Sequence, residues 1–204
     1  MPQATGPMKP DRRDFLGSAA LGLFAFQVAG CEKLLTPGDA RKEGAELRLL
    51  SREEASRLEA FGEALVPGAR DAGIAHFVDV QLSRPHGQSL LTARYLDVMP
   101  PHDAFYKAGL AALDAVARAR HGMAFALLAE AEQAGIIGPM LAGGLAGWNG
   151  PPQPLFYLAV RSDAADLVYG TVAAFEVRNA SDPTRDARFV GVADAAGSSR
   201  STPE

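Results

Sequence analysis

From residue 51 onward, apolar side chains return every three or four positions, with polar residues between them. Ser51 and Glu54 have the form of a capping box, and Ala55, Leu58, Phe61 and Leu65 follow at helical spacing up to a Pro67-Gly68 stop. A second helix is expected from Asp71, with Ile74, Phe77, Val78 and Leu82 inward and Pro85-His86-Gly87 as its break. Leu90, Leu91, Tyr95 and Leu96 predict another, closed by Pro100-Pro101. The longest periodic segment is Asp103 to Arg120. Its stripe is Phe105, Leu110, Leu113, Val116 and Ala117, while Lys107, Asp114, Arg118 and Arg120 can face water, and Gly122 marks its end. Phe125 to Leu141 predicts one or two helices interrupted near Gly138-Pro139, then a Gly/Pro-rich loop from Gly143 to Pro154. A last helix, Leu155 to Tyr169, is capped by Gly170. No run alternates with period two long enough to build a sheet. The expected fold is all-α: one compact domain over residues 51–178, a bundle of about five to seven short helices, with 179–204 a flexible tail rich in Ser, Asp, Ala and Gly.

Residues 1–30 follow a different logic. Arg12 and Arg13 precede Phe15 and Leu16, and an uncharged run then extends to Gly30. That run falls short of the ~20 apolar residues of a spanning helix and suits the h-region of a signal peptide. Paired arginines ahead of Phe-Leu indicate the twin-arginine route, and hence a periplasmic protein. The alternative, a cytosolic amphipathic N-terminus, lacks a polar face. Val28-Ala29-Gly30-Cys31 has the look of a lipobox, which makes Cys31 the candidate for lipidation and membrane attachment. It is the only cysteine, so no internal disulfide can form. The other reading is an unmodified cysteine within the signal. Residues 31–50, charged and broken by Pro37-Gly38, read as a tether.

Composition narrows the chemistry. A net charge of −4 with no basic run excludes nucleic acid as a partner. One cysteine cannot supply the C-x-x-C-H of a c-type haem or the thiolates of an iron–sulfur cluster. His76, His86, His102 and His121 lack short ligand spacing, and His76 beside Phe77 and Asp79 reads as a hydrogen-bonded structural histidine. Gly143 to Gly147 has neither the G-x-G-x-x-G order nor a preceding strand, and there is no G-x-S-x-G elbow. Asp163 and Asp166 lie one helical turn apart, a poor arrangement for carboxyls that must flank a bond across a cleft. Helix solvation, or an ion pair with Arg161 or a partner, is the expected use. Trp148 is either a contact anchor or packing beneath its loop. No catalytic, cofactor or metal site is expected. A folded-protein export signal on such a chain suggests that the cofactor belongs to something it carries.

Leu65 to Arg70 with Ala72 to Asp79, and Phe105-Tyr106 with Gly109 to Asp114, resemble the opening motif and the central helix of the gluconate 2-dehydrogenase subunit 3 family. Trp148, Gly150 to Pro152, Leu155 to Tyr157, Arg161, Asp163, Asp166 and Val168 to Thr171 resemble its closing motif. The resemblance spans roughly Ser51 to Phe175, after which Glu176 to Pro183 departs from the family pattern. It implies a small non-catalytic subunit that escorts a larger flavoprotein of the glucose-methanol-choline type through the twin-arginine translocase. FAD would sit in that flavoprotein, and haem c in a multihaem cytochrome c subunit. Trp148, Pro151, Pro152, Phe156, Tyr157, Arg161, Asp163, Asp166 and Tyr169 are then the expected partner-interface residues. Two other readings stand beside it: a lipoprotein binding module for another envelope partner, and a stand-alone enzyme around Asp163 and Asp166.

Overall fold

The computed structural model of the protein describes residues 22–170. Arg12, Arg13, Phe15, Leu16 and the tail from Asn179 lie outside the described residues. Within them, a hairpin of β1 (Phe24–Val28) and β2 (Cys31–Leu35) precedes six helices. These are α1 (Pro37–Lys42), α2 (Arg52–Leu65), α3 (Ile74–Leu82), α4 (His102–His121), α5 (Glu130–Ile137) and α6 (Gln153–Tyr169). The all-α expectation holds for the body of the fold.

Local chemistry sets the helix ends. At the start of α2, the Ser51 N–H donates to Glu54 Oε2 at 2.8 Å and the Glu54 N–H donates to Ser51 Oγ at 3.2 Å, the reciprocal cap read from the sequence. At the far end of α4, Gly122 takes the left-handed conformation and closes the helix. Tertiary packing then selects the faces. Helix α2 lies at the centre, touching α3, α4, α5 and α6, with Leu58 and Phe61 fully enclosed. Helix α4 buries Phe105, Tyr106, Leu110, Leu113, Val116 and Ala117.

The helix expected around Leu90 to Leu96 shrinks to a single 3₁₀ turn, Thr92–Tyr95. The Leu90 N–H donates to Gln81 Oε1 at 2.9 Å and the Thr92 N–H donates to Asp163 Oδ1 at 2.8 Å, which pins the segment to α3 and α6. First-turn N–H groups lack intrahelical partners in any helix, so these bonds place the turn without ending it. It ends at Leu96–Asp97, where Asp97 takes a positive φ of 55°.

The expectation of no sheet is corrected by the hairpin, which is antiparallel with Phe24 opposite Leu35 and Val28 opposite Cys31. Its two-residue turn, Ala29–Gly30, has positive φ at both positions, 50° and 78°. That is the requirement of a type I′ turn, whose twist matches the flanking strands. The small residues that look like a cleavage box are therefore also what a tight hairpin needs. Phe24 and Phe26 point inward, each 3% exposed. Phe24 packs edge-on against Phe77 and Phe26 against His76, with centroids 5.9 and 6.1 Å apart.

Residues 36–50, expected as part of a tether, are held against the helices. Thr36 caps α1, and Ala40 is completely buried. The Asp79 carboxylate, on α3, accepts three backbone N–H groups at once: Arg48 at 2.7 Å, Leu49 at 2.8 Å and Leu50 at 2.8 Å. Among the described residues, the packed unit therefore includes Phe24 to Leu50 as well as the helices from residue 51 onward. Phe26→Ala in the full-length chain should lower the unfolding free energy by roughly 3 kcal/mol through the lost ring and the space it leaves. Urea denaturation reads this directly, and an unchanged midpoint would place the hairpin outside the cooperative fold.

Candidate partner-binding site

The Gly/Pro loop and α6, where the expected interface residues cluster, are tied together by polar bonds. The Leu145 N–H donates to Gln153 Oε1 at 2.9 Å, and Gln153 Nε2 donates back to the Leu145 carbonyl at 2.8 Å. Trp148 Nε1 donates to the Pro151 carbonyl at 2.7 Å, so the indole closes its own loop. Its ring leans on Phe156 at 5.8 Å and stays half-buried. Trp148 therefore packs under its loop and keeps an outer edge at the surface.

Phe156 is a core residue, which corrects its expected place at an interface. It is fully buried and stacks on Phe61 with rings 5.4 Å apart and 4° from parallel. Phe105 meets it edge-on at 5.8 Å. The ring fits because residue 109 has no side chain: a Cβ at Gly109 would lie 2.3 Å from it.

Asp163 is likewise internal, 1% exposed. The Tyr106 hydroxyl donates to its Oδ2 at 2.5 Å while the Thr92 N–H holds Oδ1. Loss of solvent pushes the Asp163 carboxyl up to about 6, against the pull of its hydrogen bonds, and nearby Asp166 adds to the rise. Burial and the adjacent carboxylate raise the Tyr106 hydroxyl well above its ordinary value. Asp166 sits on the exposed side of α6. The two acids thus do not form a paired site. Asp163 faces Tyr106 and Thr92 rather than Arg161, and its role is to join α4, α6 and the Thr92 turn.

The remaining candidates do reach the surface. Pro152, Arg161, Asp166 and Tyr169 are exposed, and Pro151 and Tyr157 are half-buried. Leu158 joins them, 39% exposed, and was missed. Its position was readable: with Phe156, Ala159, Val160, Asp163, Ala164 and Leu167 inward, a period of 3.6 places Leu158, Arg161 and Tyr169 along one outer line. The 3₁₀ turn Gly138–Ala142, which packs against α6, adds exposed Leu141. An apolar line with one cation is suited to burial against another protein.

His76 matches its structural reading. Its Nε2 donates to the Ala45 carbonyl at 3.3 Å, and desolvation lowers its pKa. Cys31 is exposed at the hairpin. Among the described residues, no group of His, Cys, Asp and Glu could hold a metal ion, and no helix is long and apolar enough to cross a membrane.

The fold is that of a small all-α domain whose buried carboxylates anchor loops. The family model for gluconate 2-dehydrogenase subunit 3 matches residues 52–178, and the chain belongs to that family, a subunit of gluconate 2-dehydrogenase complexes. The match begins at α2, so the hairpin and α1 precede it. No curated protein and no solved structure matches the chain.

The Asp163 environment sets a pH dependence. The folded carboxyl keeps its proton to about 6, whereas its ordinary value is 3.8. Between these values the native state binds more protons than the unfolded one. The stabilising contribution is full below the lower value and is lost as pH rises through the upper one, by about 3 kcal/mol at most. Asp163→Asn removes this ionisation, so the difference between variant and parent should change by that order between about pH 4 and pH 7. Urea titrations at several pH values check this, and parallel curves for the two proteins would count against it.

Proposed function

We propose that the chain is the non-catalytic small subunit of a dehydrogenase complex, binding, stabilising and escorting a flavoprotein of the glucose-methanol-choline type to the periplasmic membrane face. The family match across residues 52–178 carries this reading. In it, FAD resides in the flavoprotein, haem c in a cytochrome subunit, and Arg12, Arg13, Phe15 and Leu16 direct the pair to the twin-arginine translocase. The exposed line of Leu158, Arg161 and Tyr169, flanked by Pro152 and the outer edge of Trp148, supports a docking face on α6. Specific interfaces cover ~800 Å² per partner, for which side chains of this size at the centre are typical.

Cys31 is the proposed point of lipid attachment, and its exposure at the hairpin would let an enzyme reach it. Cleavage before it would divide the hairpin at its turn, removing β1 and uncovering Phe77 and His76. Mass spectrometry of protein recovered from membranes distinguishes a lipidated Cys31 terminus from a chain that keeps Phe24.

Co-expression with a flavoprotein dehydrogenase of the glucose-methanol-choline type tests the escort role. Arg12→Lys with Arg13→Lys should leave dehydrogenase activity in the cytoplasm, while periplasmic activity at the parental level would argue against escort. Leu158→Asp with Arg161→Glu should abolish the yellow flavin spectrum of the co-purified complex and leave helical circular dichroism unchanged. Retention of the flavin would move the interface elsewhere on the domain.

A further inference from the structure

Strand β1 is held along both of its edges. On one side it pairs with β2 from Phe24 opposite Leu35 to Val28 opposite Cys31. On the other, the Glu46 N–H donates to the Gln27 carbonyl at 2.9 Å and Arg48 Nη2 donates to the Ala25 carbonyl at 3.0 Å. The β1 atoms in these bonds are backbone groups, which a strand of another sequence supplies equally well. Selection comes from the inner face. Phe24 meets Phe77 edge-on beneath the Arg84 guanidinium, 5.1 Å from the ring centre, and Phe26 meets His76. The seat of β1 therefore asks for two large apolar side chains at alternate positions.

On the proposed cleavage before Cys31, on which this assignment rests, β1 departs with the leader. The domain would then keep the seat without its strand: an apolar floor at Phe77 and an unpaired edge on β2, a combination that invites another strand. We propose that residues 174–178 of the same chain, Ala-Phe-Glu-Val-Arg, take that seat in the cleaved protein.

Three observations favour this occupant. Its pattern matches, with Phe175 and Val177 at alternate positions in place of Phe24 and Phe26 and the polar Glu176 and Arg178 between and after them. In the register of β1, where Gln27 faces Glu32, Arg178 would lie opposite Glu32, a favourable cross-strand charge pair. The chain also reaches. Val168, near the end of α6, lies 3.9 Å from where a Cβ on Gly68 would be, and the Ile74 N–H donates to the Ala69 carbonyl at 3.1 Å. The end of α6 therefore lies at the start of α3, and Phe77 is only ~4.5 Å farther along that helix. Seven extended residues, from Val168 to Phe175, cover roughly 23 Å. Finally, the family match leaves out β1 but continues past α6 to residue 178, so the proposed strand lies within the matched unit and β1 does not. While β1 is attached its two rings outcompete the one ring and one isopropyl group of the tail, and the exchange follows only when β1 leaves.

The exchange is tested on the full-length chain without any cleavage, so its outcome is separate from the question of where the leader is cut. Phe24→Asp with Phe26→Asp replaces both inward rings by charges and expels β1. Hydrogen exchange at the amides of residues 175–178 should then slow by at least about tenfold relative to the parent. Adding Phe175→Asp should restore the parental exchange rate and lower the urea midpoint, whereas Phe175→Asp alone should leave the parent's midpoint unchanged. Equal exchange at 175–178 in the parent and the double variant would overturn the proposal. So would an equal effect of Phe175→Asp in both backgrounds, or a double variant that no longer folds, because the tail would then have failed to replace β1.

Discussion

The position of α6 depends on one close approach. The Phe156 ring lies where a Cβ on residue 109 would be, stacked on Phe61 from the central helix and touched edge-on by Phe105. Glycine inside a helix costs roughly 1 kcal/mol relative to alanine. A fully buried phenylalanine contributes about 1.5–3 kcal/mol from its apolar area, and aromatic pairing adds to that. The trade favours Gly109. Once the ring is seated, the outer side of α6 is fixed, and with it the line of Leu158, Arg161 and Tyr169.

Around this aromatic centre, three buried aspartates share a structural role. Asp79 gathers the N–H groups of residues 48–50, and Asp163 holds the Thr92 N–H. Asp114 accepts the Phe125 N–H at 2.9 Å and the Arg118 guanidinium at 2.9 Å. Each fastens a non-helical segment to a helix where the chain must turn and its backbone donors have no regular partner. Charged acceptors make stronger bonds than neutral ones. They are also costly to desolvate, as the raised pKa of Asp163 records.

The long periodic segments were legible because a helix buries a stripe that sequence spacing displays directly. The cap at Ser51 and Glu54, the end of α4 at Gly122 and the extent of α6 all followed from local rules. The losses had a common cause, long-range pairing. Nothing near Thr92 announces that Asp163, far along the chain, will take its N–H and pin this segment to the last helix. Nor does Phe156 look different from a surface aromatic until Gly109 is brought beneath it. In the hairpin, period-two alternation was present in Phe24 and Phe26, but it was hidden inside a run apolar on both faces. A leader and a buried strand have the same composition there.

That overlap makes the hairpin a point of competition. While residues 24–28 are zipped to β2 and covering Phe77, they are withdrawn from any receptor that would grip the same apolar run. Extraction of the strand and completion of the domain are mutually exclusive for those five residues. Whichever of the two comes first is therefore set by how fast the hairpin closes onto Phe77 and His76.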